Sequence, residues 1–332
     1  MNVFIDHTPQ RDHYYSLHAL FEKRLKMNLY RPIGPGWRAT GLQFCDFNDP
    51  GEFESEDGVY HVPMRMEPEA GFYAQNAITF DKFLKMDFDF LVTIYAAHEE
   101  PFYHLVKTYK PNAVFIRQVG NIHEKPQGFC KNILLANLTP MPSDVNCLIY
   151  YPENYEGYCY TPPSNHKTVK NFVHDLPYYP NDVTAFLQCE EILNDFTFKM
   201  HGRGGRDGEI PSMLMPQAMK DAAFVWHVKA HGGAGFVLRQ ALACGRPCIV
   251  NRRYMMTHDV CEQNLTEDSM NCIDLNLGRD RAIGLMKAWS QPDVHLEVCR
   301  RTEEKFQRDT NPAREAEKVG SWMSGLRRGV SG

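Results

Sequence analysis

The chain is short of the features that mark several protein classes. Its ten cysteines form no Cys-x-x-Cys pair and no zinc-finger spacing, which excludes a zinc finger and points to reduced thiols. No apolar run approaches the ~18 residues of a membrane-crossing helix. The opening Met-Asn-Val-Phe-Ile-Asp-His carries no charged-then-apolar signal pattern. There is no Gly-x-Ser-x-Gly elbow and no tandem repeat. Basic tracts are missing too, since Arg252-Arg253 and Arg327-Arg328 are only pairs. Asp87-Phe88-Asp89 has the spacing of a metal motif, but it runs directly into an apolar segment and reads as the polar edge of a strand. These absences predict a cytoplasmic protein with no metal site and no cofactor of its own.

What is present is enough for two ordinary domains. The chain has 332 residues, of which 43% are hydrophobic and 23% charged, with a net charge of −5. The mild acidity argues against tight non-specific binding to nucleic acid.

The most informative stretch is 229–250, Lys-Ala-His-Gly-Gly-Ala-Gly followed by Phe-Val-Leu-Arg-Gln-Ala-Leu-Ala-Cys-Gly-Arg-Pro-Cys-Ile-Val. It predicts a glycine-rich turn (Gly232, Gly233, Gly235), a helix from Phe236 to Cys244, a stop at Gly245, and a strand from Cys248 to Val250. Glycines let a backbone approach a ligand closely, and a helix N-terminus offers free N–H groups and the positive end of a dipole. That combination suits a phosphate or diphosphate. A second glycine-rich turn, His201-Gly202-Arg203-Gly204-Gly205-Arg206-Asp207-Gly208, also follows a predicted strand. In a parallel sheet both turns open on the same edge. Arg203 and Arg206 could then join Lys229 in neutralising an anion, although two tight turns with solvated arginines are the plainer alternative.

The rest of the chain alternates strands and helices, which predicts parallel, doubly wound sheets. Strands are expected at Asn2–Ile5, Leu29–Ile33, Phe88–Tyr95, Ala113–Arg117 and Ile133–Ala136. Helices are expected at Tyr14–Leu25, Asp81–Met86 and Glu99–Tyr109. Residues 34–75 show no clear period. Residues 151–168, with four tyrosines and Pro162-Pro163, read as a linker. A second series follows. Its strands are expected at Asn171–His174, Phe196–His201, Phe224–Lys229 and Asn271–Leu275, and its helices at Asp182–Leu193, capped by Asn181 or Asp182, and Met213–Asp221. Residues 279–308 read as helix interrupted near Pro292.

Residues 233–250 resemble the nucleotide-sugar signature of GT-B glycosyltransferases, especially the large family-4 type. The likeness rests on Gly233-x-Gly235, on Gln240-Ala241-Leu242-Ala243-Cys244-Gly245-Arg246-Pro247, and on Ile249-Val250. Phe198-Lys199-Met200-His201-Gly202-x-Gly204-x-Arg206 is similar to the same family's strand and Gly-x-Gly-x-x-Arg loop. The likeness spans about residues 170–275. It implies two Rossmann-like α/β domains facing a cleft. Residues 1–160 would bind the acceptor and 161–300 the nucleotide sugar, and 301–332 would form a helical tail that packs back on the first domain. The activity implied is transfer of a sugar from a nucleoside-diphosphate sugar to a hydroxyl, without a metal.

The donor-binding residues implied are Gly202, Arg203, Gly204, Arg206, Lys229, His231, Gly232, Gly233, Gly235 and Gln240. Two glutamates of the family signature fall on Gly232 and Gln240, so a retaining mechanism does not carry over. His231-Gly232-Gly233-Ala234-Gly235 also resembles the diphosphate loop of inverting GT-B enzymes, with the following helix one residue out of register.

An inverting enzyme needs a general base on the acceptor side. The loop after the first strand offers Asp6, His7, Asp12 and His13, and the helix at 99 offers Glu99. Asp12 equally suits a helix cap, and Glu99 and Glu100 a helix first turn. Small molecules, glycans, proteins and modified DNA are all open as acceptors, the last by likeness to phage enzymes that glucosylate hydroxymethylated bases. A nucleotide-sugar epimerase and a non-catalytic nucleotide-sugar-binding protein are the rival readings.

Overall fold

The computed structural model describes every residue except 7–10, 43–49, 66–71, 154, 156, 174–175, 229–234 and 331–332; side chains at 11–13, 63–65, 72–74, 178, 212, 263, 269, 329 and 330 are also left aside. The chain divides into two compact units. Unit 1 comprises Met1–Met66, Gly71–Asn154 and Pro312–Gly332, and unit 2 comprises Glu67–Ala70 and Tyr155–Asn311.

Unit 1 is built on β1 (Asn2–Ile5), α1 (Arg11–His18), β2 (Asn28–Pro32), β3 (Ser55–Glu56), β4 (Val59–Arg65), β5 (Phe72–Ile78), α2 (Phe80–Lys85), β6 (Phe90–Thr93), α3 (Glu99–Tyr109), β7 (Val114–Val119), β8 (Asn132–Leu135) and β9 (Asn146–Ile149). The strands form one sheet in the order β3-β4-β5-β2-β1-β6-β7-β8-β9. From β5 through β9 the pairing is parallel, while β4 and β3 add an antiparallel margin. Val3, Phe4 and Ile5 are all buried, as a central parallel strand requires. Phe4 stacks on Trp37 at 5.0 Å and packs on Phe83 at 4.9 Å, so the segment without a readable period supplies a core tryptophan.

Unit 2 contains β10 (Thr168–Asn171), α4 (Pro180–Ile192), β11 (Thr197–Met200), α5 (Met215–Lys220), β12 (Phe224–His227), α6 (Phe236–Ala243), β13 (Cys248–Val250), α7 (Arg252–His258), β14 (Cys272–Asp274), α8 (Arg279–Trp289) and α9 (Pro292–Asp309). Its sheet is wholly parallel, in the order β11-β10-β12-β13-β14. A last helix, α10 (Pro312–Val330), belongs to unit 1. There Glu315 Oε2 accepts from the Tyr151 N–H at 3.1 Å, Trp322 Nε1 donates to Asn146 Oδ1 at 2.9 Å, and Arg327 pairs with Asp89 at 2.8 Å. Asp89 also accepts from the Asn2 N–H at 2.8 Å, so Asp87-Phe88-Asp89 anchors the start of β6.

Two local expectations need correction. β10 lies three residues earlier than Asn171–His174, because Asn171 Oδ1 turns back to accept the Val173 N–H at 3.1 Å and ends the strand there. α4 is capped by neither Asn181 nor Asp182: Pro180 opens the helix after Tyr179, and Asp182 is a buried first-turn residue. Each of the nine described cysteines is a free thiol.

The segment that dominated the sequence folds as its punctuation demands. Gly245, at φ +70°, ends α6 pressed against Tyr160, where a Cβ would lie 2.5 Å from the ring. Arg246 is fully buried, and its guanidinium donates to Lys220 O (3.1 and 2.7 Å), Thr161 O (3.0 Å), Cys244 O (2.8 Å) and Thr161 Oγ1 (3.3 Å). The Gly-Arg pair therefore fastens residues 160–161 to the rest of unit 2.

Candidate functional site

In each sheet the chain leaves one inner strand toward one side and later returns on the other. This creates a switch point at the carboxyl ends of the strands, where α/β sheets bind ligands. The switch points lie between β1 and β6 in unit 1 and between β10 and β12 in unit 2.

At the unit 2 edge, the turn after β11 is held by its own backbone. Gly202 donates to Gly208 O at 3.1 Å, and Gly205 donates to Gly202 O at 2.9 Å. Gly202 and Gly204 sit at φ +107° and +76°. A Cβ on Gly205 would lie 2.4 Å from Met200 O. Burial would raise the Asp207 carboxyl, but the Met200 N–H, Lys199 and Arg206 outweigh it and hold the group below the usual carboxylate range. His201 stacks on Phe172 with ring centroids 5.7 Å apart, and burial together with Lys170 lowers its pKa.

Arg203 is exposed on this turn. The Arg206 side chain does not turn to the edge. Its guanidinium forms a fork with Glu190 at 2.8 and 2.5 Å and donates to Phe198 O at 2.8 Å. Those two partners lie near the end of α4 and the start of β11, and Arg206 Nε also donates to Asp207 Oδ2 at 3.3 Å within the turn.

Lys229, His231, Gly232 and Gly233 lie outside the described residues. Gly235 is described, and it opens α6 in the left-handed conformation at φ +66°. The fully buried Asp259 carboxylate faces it, so that a Cβ on Gly235 would lie 2.3 Å from Oδ2. Gln240 and Arg239 are both buried on α6, and Arg239 Nε donates to Cys261 Sγ at 3.2 Å.

A cavity of about 260 Å³ opens on the same edge, with Asn181, Asp182, Val228, Asn251, Asn276 and Arg279 in its lining. None of these stood out in the sequence as a site residue. The signal available was their place, since Val228, Asn251 and Asn276 each come one or two residues after a strand end.

In unit 1, Asp6 closes the switch point. Its carboxylate accepts from the N–H groups of Ile94 (3.0 Å) and Tyr95 (3.3 Å) and from Thr93 Oγ1 (2.7 Å), and lies 2.9 Å from His98 Nδ1. Ile94 O in turn meets Arg117, whose Nε donates to Glu99 Oε1 at 2.7 Å and whose Nη2 reaches Glu124. Glu99 Oε2 accepts the Gln127 N–H at 2.9 Å. The structure thus joins Asp6 and Glu99 in one network, but both are enclosed, at 0% and 2% exposure. His7 lies outside the described residues, and Asp12 and His13 are placed on α1 by backbone only.

No protein-family model and no curated protein sequence matches the chain. Solved structures do. Sucrose-phosphate synthase from Thermosynechococcus elongatus aligns with a TM-score of 0.62 at 8% identity, over 98% of this chain and 99% of that one. The DNA-modifying β-glucosyltransferase aligns with a TM-score of 0.59 at 10% identity over the whole of both chains. TarM aligns with a TM-score of 0.54 at 11% identity over 70% of this chain, which spans only 54% of TarM.

The chain has the GT-B fold. Its two Rossmann-like units are the two sheets described above, and the GT-B alignments with sucrose-phosphate synthase and the β-glucosyltransferase run through both. Among the described residues no helix is long and apolar enough to cross a membrane.

Proposed function

We propose that this GT-B chain is a glycosyltransferase that moves a sugar from a nucleoside-diphosphate sugar to an acceptor hydroxyl, with unit 2 as the donor side and unit 1 as the acceptor side. The observation that carries the reading is the carboxyl edge of unit 2, where Gly235 opens α6 at positive φ and a polar cavity lies at the ends of the neighbouring strands. When the glycosidic bond breaks, negative charge grows on the departing diphosphate. Fixed N–H donors and a helix N-terminus stabilise that charge most when it is greatest. In this reading Gly202, Arg203, Gly204, Lys229, His231, Gly232, Gly233, Gly235 and Gln240 serve the donor, while Arg206 is held by Glu190. Basic groups and backbone dipoles do the work of a metal, so a chelator leaves turnover unchanged.

On the acceptor side, the enclosed Asp6 and Glu99 brace the edge. His7, Asp12 and His13 remain the candidates for the base that takes the acceptor proton. Alanine substitution of each tests it: loss of the base lowers kcat at saturating acceptor and removes the limb of the pH profile set by its pKa while leaving donor binding intact.

A modified-DNA acceptor is the second reading, favoured by the end-to-end alignment with a DNA-modifying enzyme. Against it, the residues of unit 1 carry 18 Lys and Arg against 19 Asp and Glu, with no basic excess to meet a duplex. We therefore favour an uncharged hydroxyl acceptor. The test is to offer UDP-, GDP- and ADP-sugars with small-molecule, glycan, protein and hydroxymethylated-DNA acceptors, and to follow both nucleoside-diphosphate release and the glycosylated product. Saturable transfer from one donor supports the reading. Donor binding without transfer or hydrolysis would favour a non-catalytic binding protein, and interconversion of the sugar without transfer an epimerase.

A further inference from the structure

Unit 1 carries a groove of about 350 Å³ along α3, within the size range of small-ligand sites. Pro101, His104, Leu105, Thr108 and Tyr109 form one side of it. Their spacing of three and four residues puts them on one face of the helix. From Pro101 to Tyr109 that face runs for about 12 Å. Phe80 belongs to the other side. Its ring is packed on Trp37, with centroids 5.1 Å apart, and meets Tyr109 edge to face at 5.7 Å. Tyr109 is nevertheless 47% exposed, so a held aromatic ring stands open to solvent.

The polar groups of the groove are neutral, and two of them are uncommitted. Among the described residues, no Lys, Arg, Asp or Glu lines it. Lys110, next in sequence to Tyr109, donates instead to Leu84 O and Met86 O at 2.9 and 2.7 Å. Thr40 Oγ1 donates to Trp37 O at 2.7 Å. The exposed hydroxyls of Thr108 and Tyr109 take no partner among the described residues.

A neutral sugar ring has the matching chemistry. Its face presents C–H groups that pack on an aromatic ring, and its rim carries hydroxyls that both donate and accept. An alkyl chain would cover the Thr108 and Tyr109 hydroxyls without giving them partners. A charged ligand would find no countercharge. We propose that this groove binds a neutral sugar unit, with Tyr109 as the stacking platform and Thr108 as a hydrogen-bonding partner, and that this unit belongs to a glycan acceptor. The assignment to the acceptor rests on the glycosyltransferase reading; the preference of the groove for a neutral sugar does not. Pro101 comes two residues after Glu99, so a sugar chain seated along α3 leads toward the edge that Asp6, His98 and Glu99 close.

The test is calorimetric titration of the full chain, without donor, with maltotriose, cellotriose, N-acetylchitotriose and mannotriose, and with 1-octanol and adenosine as non-sugar probes. The proteins are the wild type, Tyr109→Phe, Tyr109→Ala and Thr108→Val. Amide hydrogen exchange locates the site, and thermal melts confirm that the variants fold. At least one trisaccharide should bind and slow exchange across residues 101–109. Tyr109→Ala should weaken it about tenfold or more, through loss of the stacking face. Tyr109→Phe keeps the ring, so it and Thr108→Val should each weaken binding only about threefold, the worth of one neutral hydrogen bond. Failure of all four trisaccharides, protection of 101–109 by octanol or adenosine in their place, or equal affinity in Tyr109→Ala would overturn the inference. With UDP-, GDP- and ADP-sugars added, the trisaccharide that binds should be glycosylated, and its KM should rise in Tyr109→Ala about as much as its Kd. Binding without transfer to that trisaccharide would overturn its place as acceptor. Transfer to another acceptor with no trisaccharide bound removes the groove's role and leaves the glycosyltransferase reading standing.

Discussion

Asp259 and Gly235 meet at the start of α6, with the carboxylate filling the space where a side chain on residue 235 would begin, 2.3 Å from its Cβ position. Gly235 is thus required twice, once by its φ of +66° and once by its neighbour. Gly235→Ala should cost about 2–3 kcal/mol in urea denaturation. In an Asp259→Ser background, where the overlap is relieved and only the dihedral strain remains, the cost should fall to about 1 kcal/mol. An equal cost in both backgrounds would show that the carboxylate does not press on the glycine.

Arg206 tests the structure against the sequence. Its place in the Gly202-x-Gly204-x-Arg206 turn suggests a diphosphate clamp, but its guanidinium is forked onto Glu190. Arg206→Ala should therefore leave nucleoside-diphosphate affinity within about twofold of the wild type. It should lower stability by no more than about 1 kcal/mol, as for an exposed pair. A loss of affinity of about tenfold or more would restore the clamp.

Arg246 is a buried cation held by carbonyl and hydroxyl oxygens. Arg246→Met fills much of the volume but leaves those acceptors dry, at a cost of about 3 kcal/mol or more. Arg246→Lys should not rescue it, because one ammonium cannot reproduce the guanidinium fork. Chemical denaturation of the three proteins checks both statements.

These residues show what was legible and what was not. The turn, helix and strand at 235–250 could be read because Gly235, Gly245 and Pro247 punctuate them locally. Enclosure of Asp6 and Glu99 could not be read, since their partners Ile94, His98 and Arg117 come from other strands and helices. The fork of Arg206 depends on a residue sixteen positions back, on α4. The hairpin of β4 and β5 escaped a periodic reading because it exists through mutual pairing at the sheet margin, Val59 opposite Ile78 through Arg65 opposite Phe72.

His295 should make stability depend on pH. It is buried on α9, and burial drives its pKa from 6.5 down to about 4, with the Trp289 carbonyl opposing and Arg246 adding to the fall. The unfolded chain takes up this proton below about pH 6.5 and the folded chain only near pH 4. The stabilisation is therefore complete above pH 6.5 and is lost as the pH falls to about 4, on the order of 3 kcal/mol in all. His295→Gln should flatten the slope of unfolding free energy across that window. An unchanged slope would assign the acid sensitivity to other groups, among them His18, whose pKa burial also lowers.

The carboxyl edge of unit 2 is proposed here to bind a nucleoside-diphosphate sugar. Amide hydrogen exchange on the full chain, with and without a saturating UDP-sugar, tests it most directly. Slowed exchange is expected at residues 235–240, at the start of α6, and at 251–254 and 275–279 around the cavity. No protection at any of these segments at saturation, or protection confined to unit 1, would contradict it.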